Sequence, residues 1–240
     1  MECVYKPDCS NGRHICSLQR IFKYHGSPTH SEDTTNVRVA GRLLSDLDHI
    51  RDGEAKFTEP IEAESYHSFF SKDNSELSEY LGRSGKNLEL LTAIEAIDRE
   101  VPILEAASVE WKHYFNRLAE LGSELFVTGT NLPDKTFAKI FGYAYYKFMT
   151  MTDSLVDLEK DEEAGNFNPF IDITLQEKEE VIHEIKYLQE YLVTEKTKAQ
   201  ATPISNDERS DLPFVDPFAL LNRTVSQAIC GSINSQSRHS

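Results

Sequence analysis

Two pairs of aspartates at helical spacing, Asp48/Asp52 and Asp153/Asp157, are the residues of this sequence best placed to do chemistry. Side chains at i and i+4 of a helix stand one above the other, so each pair can grip one divalent cation between its carboxylates. Mg²⁺ takes one or two protein carboxylates and completes its octahedron with waters and phosphate oxygens, so such a site is finished by a phosphate-bearing ligand. Two of these helices facing one another would hold Mg²⁺ ions against a diphosphate. The second pair continues a row, Tyr143, Tyr146, Thr150, Asp153 and Asp157, at steps of three and four. It lies roughly opposite the apolar stripe of Phe137, Ile140, Phe141, Ala144, Phe148, Met151 and Leu155. That row reads as a cavity wall with a polar mouth. Gly41, Ser45, Asp48 and Asp52 form a matching row, with small residues leaving space beside the carboxylates. A single Asp-x-x-x-Asp is ordinarily a solvated helix face, whereas two of them beside space or aromatics point to a site.

The elements that must carry these pairs are helices. Thr34, Thr35 and Asn36 cap a helix marked by Val39, Ala40, Leu43, Leu44, Leu47 and Ile50, and Gly53 ends it. Asn74–Ser75 opens a helix running past Leu88 and Ile94. Pro102, at a first helical position, is expected to start another, carrying Leu104, Trp111, Phe115, Leu118, Leu125 and Phe126. Gly122 falls on that stripe and leaves a gap for a close neighbour. Pro133 precedes the longest helix, Asp134 to about Glu163, stopped at Gly165. A turn with two aromatic anchors, Phe167 and Phe170, leads to a last core helix marked by Val181, Ile185, Leu188 and Leu192. No strand pattern competes, and the expected fold is an all-α helical bundle. Three regions follow: a poorly ordered Cys/His-containing arm over 1–34, the bundle over 35–198, and a tail over 199–240. The tail comprises a polar linker, one short amphipathic helix (Asp216–Ile229) and a Ser-rich end.

Composition narrows the partners. The chain has 240 residues, 39% of them hydrophobic, enough for a core, and a formal net charge of −15. That charge opposes a nucleic-acid backbone or an anionic membrane surface and suits a protein that recruits cations or meets a basic partner. No run approaches the ~20 apolar residues of a transmembrane helix. The start, Met1 to Lys6, has no apolar signal core, so a cytoplasmic location with reduced thiols is expected. Cys3, Cys9, His14 and Cys16 are together enough ligands for Zn²⁺, but their spacing fits no standard two-pair pattern, and incidental thiols are the simpler account.

The run Gly142 to Asp161, continuing into Gly165-Asn166-Phe167-Asn168-Pro169-Phe170, resembles the signature of a bacterial family of all-helical proteins with aspartate-rich motifs. Arg42 to Asp52 is similar to that family's first acidic helix. More distantly, the order of the two blocks resembles the squalene and phytoene synthases and other trans-isoprenyl diphosphate synthases. The resemblance covers roughly residues 36–195 and implies an isoprenyl-synthase-like bundle. It further implies Mg²⁺ held by Asp48, Asp52, Asp153 and Asp157 with Asp161 in support. Asp153 and Asp157 would be central to any prenyl transfer or terpenoid synthesis, and Arg42, Arg51, Lys147, Tyr143 and Tyr146 would face the prenyl diphosphate. His49 stands where the family often has a second aspartate, which weakens the first motif.

Two rival readings come from the same residues. A non-catalytic helical protein could keep the fold and use its acidic mouths for partner binding or regulation. Glu64/His67, Glu110/His113 and Glu180/His183 have the Glu-x-x-His spacing of di-iron bundles. His113 and His183, however, fall opposite the apolar stripes of their helices, where di-iron ligands would have to point inward.

Overall fold

The structure is a computed structural model that describes residues 17–34, 36–37, 40–41, 44 and 87–201. Among these residues the regular structure is all helical, without a strand. Five helices are bounded: α1 Ser17–Tyr24, α2 Asn87–Ala106, α3 Trp111–Gly129, α4 Lys135–Ala164 and α5 Leu175–Gln200. Residues 30–34, 36–37, 40–41 and 44 are helical as well. None of the described helices is long and apolar enough to cross a membrane.

α3 and α4 form the most extensive helix pair, with α2 laid on α3 and α5 on α4, while α1 docks on α5. Two glycines let the central pair close up. A Cβ at Gly122 of α3 would overlap the Tyr146 ring of α4, and one at Gly142 of α4 would lie 2.6 Å from the Phe126 Cβ of α3. Each helix therefore offers a glycine notch and, four residues on, the aromatic that fills the other's notch. The close neighbour expected at Gly122 is Tyr146. Around this crossing Trp111, Phe115, Phe126, Phe141, Phe148 and Phe170 are fully buried.

Helix ends are set by local chemistry. Asp134 caps α4, accepting from the Thr136 and Phe137 N–H groups at 2.9 and 3.0 Å. At its other end Gly165, at φ 73°, donates to Glu162, and Asn166 donates back to Asp161. This is the paired bonding of a helix closed by a left-handed residue. Thr174 and Glu177 form a reciprocal capping box that starts α5.

Two expectations are corrected. Pro102 does not open a helix but lies inside α2, and the helix expected from Pro102 to Phe126 is two helices. The break falls at Ser108, whose φ of 48° lets Val109 donate back to Leu104 and Ser108 to Glu105. Residues 17–34, assigned from sequence to the arm, carry α1 and belong to the core. Leu18, Ile21 and Phe22, at helical spacing, are each 0% exposed. Phe22 sits edge-on to Phe126 and Phe141 at 6.2 and 6.4 Å. Full burial of such side chains is worth about 1.5–3 kcal/mol each, which fastens α1 to the bundle. The remaining arm (1–16), residues 74–86 of the helix expected from Asn74, and the Asp216–Ile229 helix lie outside the described residues, while the rest of the helix expected from Asn74, past Leu88 and Ile94, is the first part of α2.

Candidate functional site

Asp153 is exposed and Asp157 half-buried on the C-terminal half of α4, while Met151 and Thr152 beside them are buried. The row that leads to them is divided. Its upper members are engaged in the α3–α4 seam: Tyr146 fills the Gly122 notch, and Tyr143 donates to Asn116 Oδ1 at 2.9 Å. Thr150 bonds back to the carbonyls of Tyr146 and Lys147 at 3.0 and 3.2 Å. Burial, with help from Glu184 and Glu120, raises the Tyr143 phenol above its ordinary value and keeps it a donor. The two aspartates lie beyond this packed stretch.

Asp161, the next acid along α4, accepts from Asn168 Nδ2 at 2.8 Å. The same amide reaches the Ser154 carbonyl at 2.8 Å, and Asn168 Oδ1 takes the Phe170 N–H at 3.0 Å. One side chain thus ties the end of α4 to the turn that buries Phe170 against Phe115 and Trp111. The Gly-Asn-Phe-Asn-Pro-Phe segment is in this way a clasp that fixes where α4 ends.

Lys147 is the polar surprise of α4. Its side chain is only 5% exposed; its ammonium is ion-paired to Glu184 of α5 and hydrogen-bonded to Asn116 of α3. It also lies 5.7 Å from the Tyr143 ring centroid. Three helices therefore meet on one neutralised cation. A lone buried ammonium would be strongly unfavourable, and the carboxylate and amide oxygens around it remove that penalty.

Asp48, Asp52, Arg42 and Arg51 lie outside the described residues, as do Cys3, Cys9, His14 and Cys16. Among the described residues no three His, Cys, Asp or Glu side chains converge as metal ligands would. Asp153 and Asp157 present two carboxylates four residues apart on one helix, the first exposed and the second half-buried. His113 and His183 are exposed, so neither points into the bundle as a di-iron ligand must. Trp111, expected in the core, is 2% exposed.

An open groove of about 630 Å³ lies elsewhere, between the start of α3 and the first half of α5, with Trp111, Lys112, Glu180, Glu184 and Tyr187 in its walls. Its charges are largely paired internally, Lys112 with Glu180 at 2.6 Å and Glu184 with Lys147. Sequence reasoning passed over three polar clusters: Asn116–Lys147–Glu184, His25–Glu195–Lys198, and a buried knot at Asp33. Lys147 follows Ala144 by three and Glu195 follows Leu188 by seven, so both sit on apolar stripes. A charge in a stripe position was the signal available. The chain matches no protein-family model, no curated protein and no solved structure.

Proposed function

We propose that this protein binds a Mg²⁺–diphosphate, of the prenyl diphosphate class, at the acidic end of α4, as an isoprenyl-synthase-like helical bundle. Asp153 and Asp157 hold the metal from one side and Asp48 and Asp52 from the other. The observation that supports it best is the Asp153–Asp157 pair itself, one exposed and one half-buried, four residues apart on a helix whose two ends are both fixed. The start of the first acidic helix adds support. Asp33 accepts from the Asn131 N–H at 3.0 Å, and Asn36 Nδ2 donates to the Gly129 carbonyl at 3.2 Å. The helical residues from 30 onward therefore set out from the same end of the bundle as α4. Asp161 serves by holding Asn168, a positioning task rather than ligation. Because Lys147 is engaged by Glu184 and Asn116, Arg42 and Arg51 are left to meet the diphosphate. Bound Mg²⁺ would supply neutralisation of the charge on a departing diphosphate. The protein's part is to keep the carboxylates in place on a stiff element.

A second reading, a non-catalytic helical binding or regulatory protein that keeps the fold, draws on one specific observation. Lys147, Tyr143 and Tyr146, the groups nearest the acidic row that would face a substrate, are occupied in helix packing. Release of inorganic diphosphate from farnesyl diphosphate with Mg²⁺ separates the two. The first reading in its catalytic form expects release that is lost in Asp153→Ala. Mg²⁺-dependent binding without release would assign the second, and absence of binding would contradict the Mg²⁺–diphosphate proposal.

A further inference from the structure

On α4, Ile140, Tyr143 and Lys147 follow one another at steps of three and four and share one stripe of the helix. Contacts on either side fix where that stripe points. Tyr143 and Lys147 reach Asn116 of α3, and Lys147 also meets Glu184 of α5. α3 and α5 both pack on α4 without packing extensively on each other, so the stripe is the floor of a cleft between them. Two pairings, Lys147 with Glu184 and Phe137 with Glu195 through His25, set α5 antiparallel to α4. The same register brings Ile140 level with Tyr191 and Tyr143 level with Tyr187.

This cleft leaves apolar surface uncovered: Ile140 on its floor is 54% exposed and Tyr187 on its wall 67%. Toward the start of α5 it deepens into the groove of about 630 Å³ that runs from Trp111 to Tyr187. The ammonium groups beside it are already neutralised, Lys112 by Glu180 and Lys147 by Glu184. An occupant of the Ile140–Tyr187 stretch is therefore held by apolar contact rather than by ion pairing. The chain itself carries a segment of that kind. Residues 216–229 place Phe218, Leu221, Val225 and Ile229 at helical spacing, and Asp216 and Arg223 leave the segment formally neutral. As a helix it would be about 21 Å long at ~1.5 Å per residue, and α5 from Glu180 to Tyr191 spans about 17 Å. α5 ends at Gln200, beyond the Ile140 end of the cleft. From there back to Tyr187 is about 20 Å along the helix, and residues 202–215 can reach roughly 45 Å.

We propose that residues 216–229 dock as a helix in the cleft between α3 and α5, their apolar stripe laid on Ile140, Tyr143 and Tyr187. Paramagnetic broadening in the full-length chain tests this. Cys3, Cys9 and Cys16 are replaced by Ser, and Cys230, next to Ile229, carries a nitroxide. Amide signals along the cleft, in residues 112–120 and 180–191, are expected to be lost. Those of α2, which joins α3 from the Arg117 side, should be much less affected. Leu221→Asp/Val225→Asp in the segment, and separately Ile140→Asp on the exposed floor, are expected to bring the lost signals back. Weak broadening spread evenly over the surface would mean an undocked tail and overturn the proposal. Broadening centred on another face, or signals that stay lost in Leu221→Asp/Val225→Asp, would overturn it as well. So would broadening passed from nitroxide-bearing chains to isotope-enriched chains without a label, which would make the occupant a second copy.

Discussion

Asp33 shows what a buried charge demands of its surroundings. It is 0% exposed, and its carboxylate accepts from Ser27 Oγ at 2.5 Å, Thr29 Oγ1 at 3.1 Å, and the Asn131 N–H and side-chain amide at 3.0 and 3.1 Å. These bonds tie the turn after α1 to the loop that opens α4. Asp33→Ala strands several buried donors at once and should lower stability by roughly 2–4 kcal/mol, measured by urea unfolding. Glu195 makes the matching case for pH. Burial pushes its carboxyl up, but hydrogen bonds from Lys198 and His25 outweigh that and leave it below the ordinary 4.5. A depressed carboxyl stabilises the fold above the unfolded value, and the contribution is lost as pH falls through the folded value. The unfolding midpoint should therefore decline below about pH 4.5. Glu195→Gln should flatten that part of the acid limb, and an unchanged slope would remove Glu195 from the account.

Three helix ends use one device and differ in the residue that serves it. Gly26, Ser108 and Gly165 all have positive φ, at 81°, 48° and 73°, and close α1, α2 and α4 with the same pair of back-bonds. Only glycine takes this conformation without strain, so Ser108→Gly should stabilise and Gly165→Ala destabilise, each by about 1 kcal/mol. Gly122→Ala is expected to cost more, about 1–3 kcal/mol or beyond, because Tyr146 and not backbone strain opposes the new methyl. Thermal melts of the three variants check the order. The same comparison shows what was legible in the sequence. Gly165 announced the end of α4, Asp134 its start, and the apolar period of α5 its buried face. The end of α2 was hidden because Ser108 gives no glycine signal, and Pro102 looked like a beginning when it sits one turn before an end. α1 was hidden because eight residues carry too short a period to stand out beside Cys, Pro and His. The Asp153–Asp157 pair was legible as a pair. The engagement of Tyr146 and Lys147 was not, since it depends on which helices become neighbours.

At the scale of the molecule, α4 both locks the bundle together and carries the acidic pair proposed to bind Mg²⁺. Its first part interlocks with α3 and shares Lys147 with α5, while its last part carries the acidic pair and ends in the Asn168 clasp. A net charge of −15 over the chain favours cation recruitment at such a pair. Substitutions at Asp153 and Asp157 should therefore leave the fold intact while changing what it binds. Thermal unfolding with Mg²⁺ and farnesyl diphosphate tests this most directly. Near-saturating ligand should raise the melting temperature by roughly 5–10 °C, with Mg²⁺ required and the rise abolished in Asp153→Ala/Asp157→Ala while that variant's ligand-free melt stays close to the parent's. A melting temperature unmoved by Mg²⁺ and farnesyl diphosphate together, or a rise that survives in the double variant, would contradict the assignment.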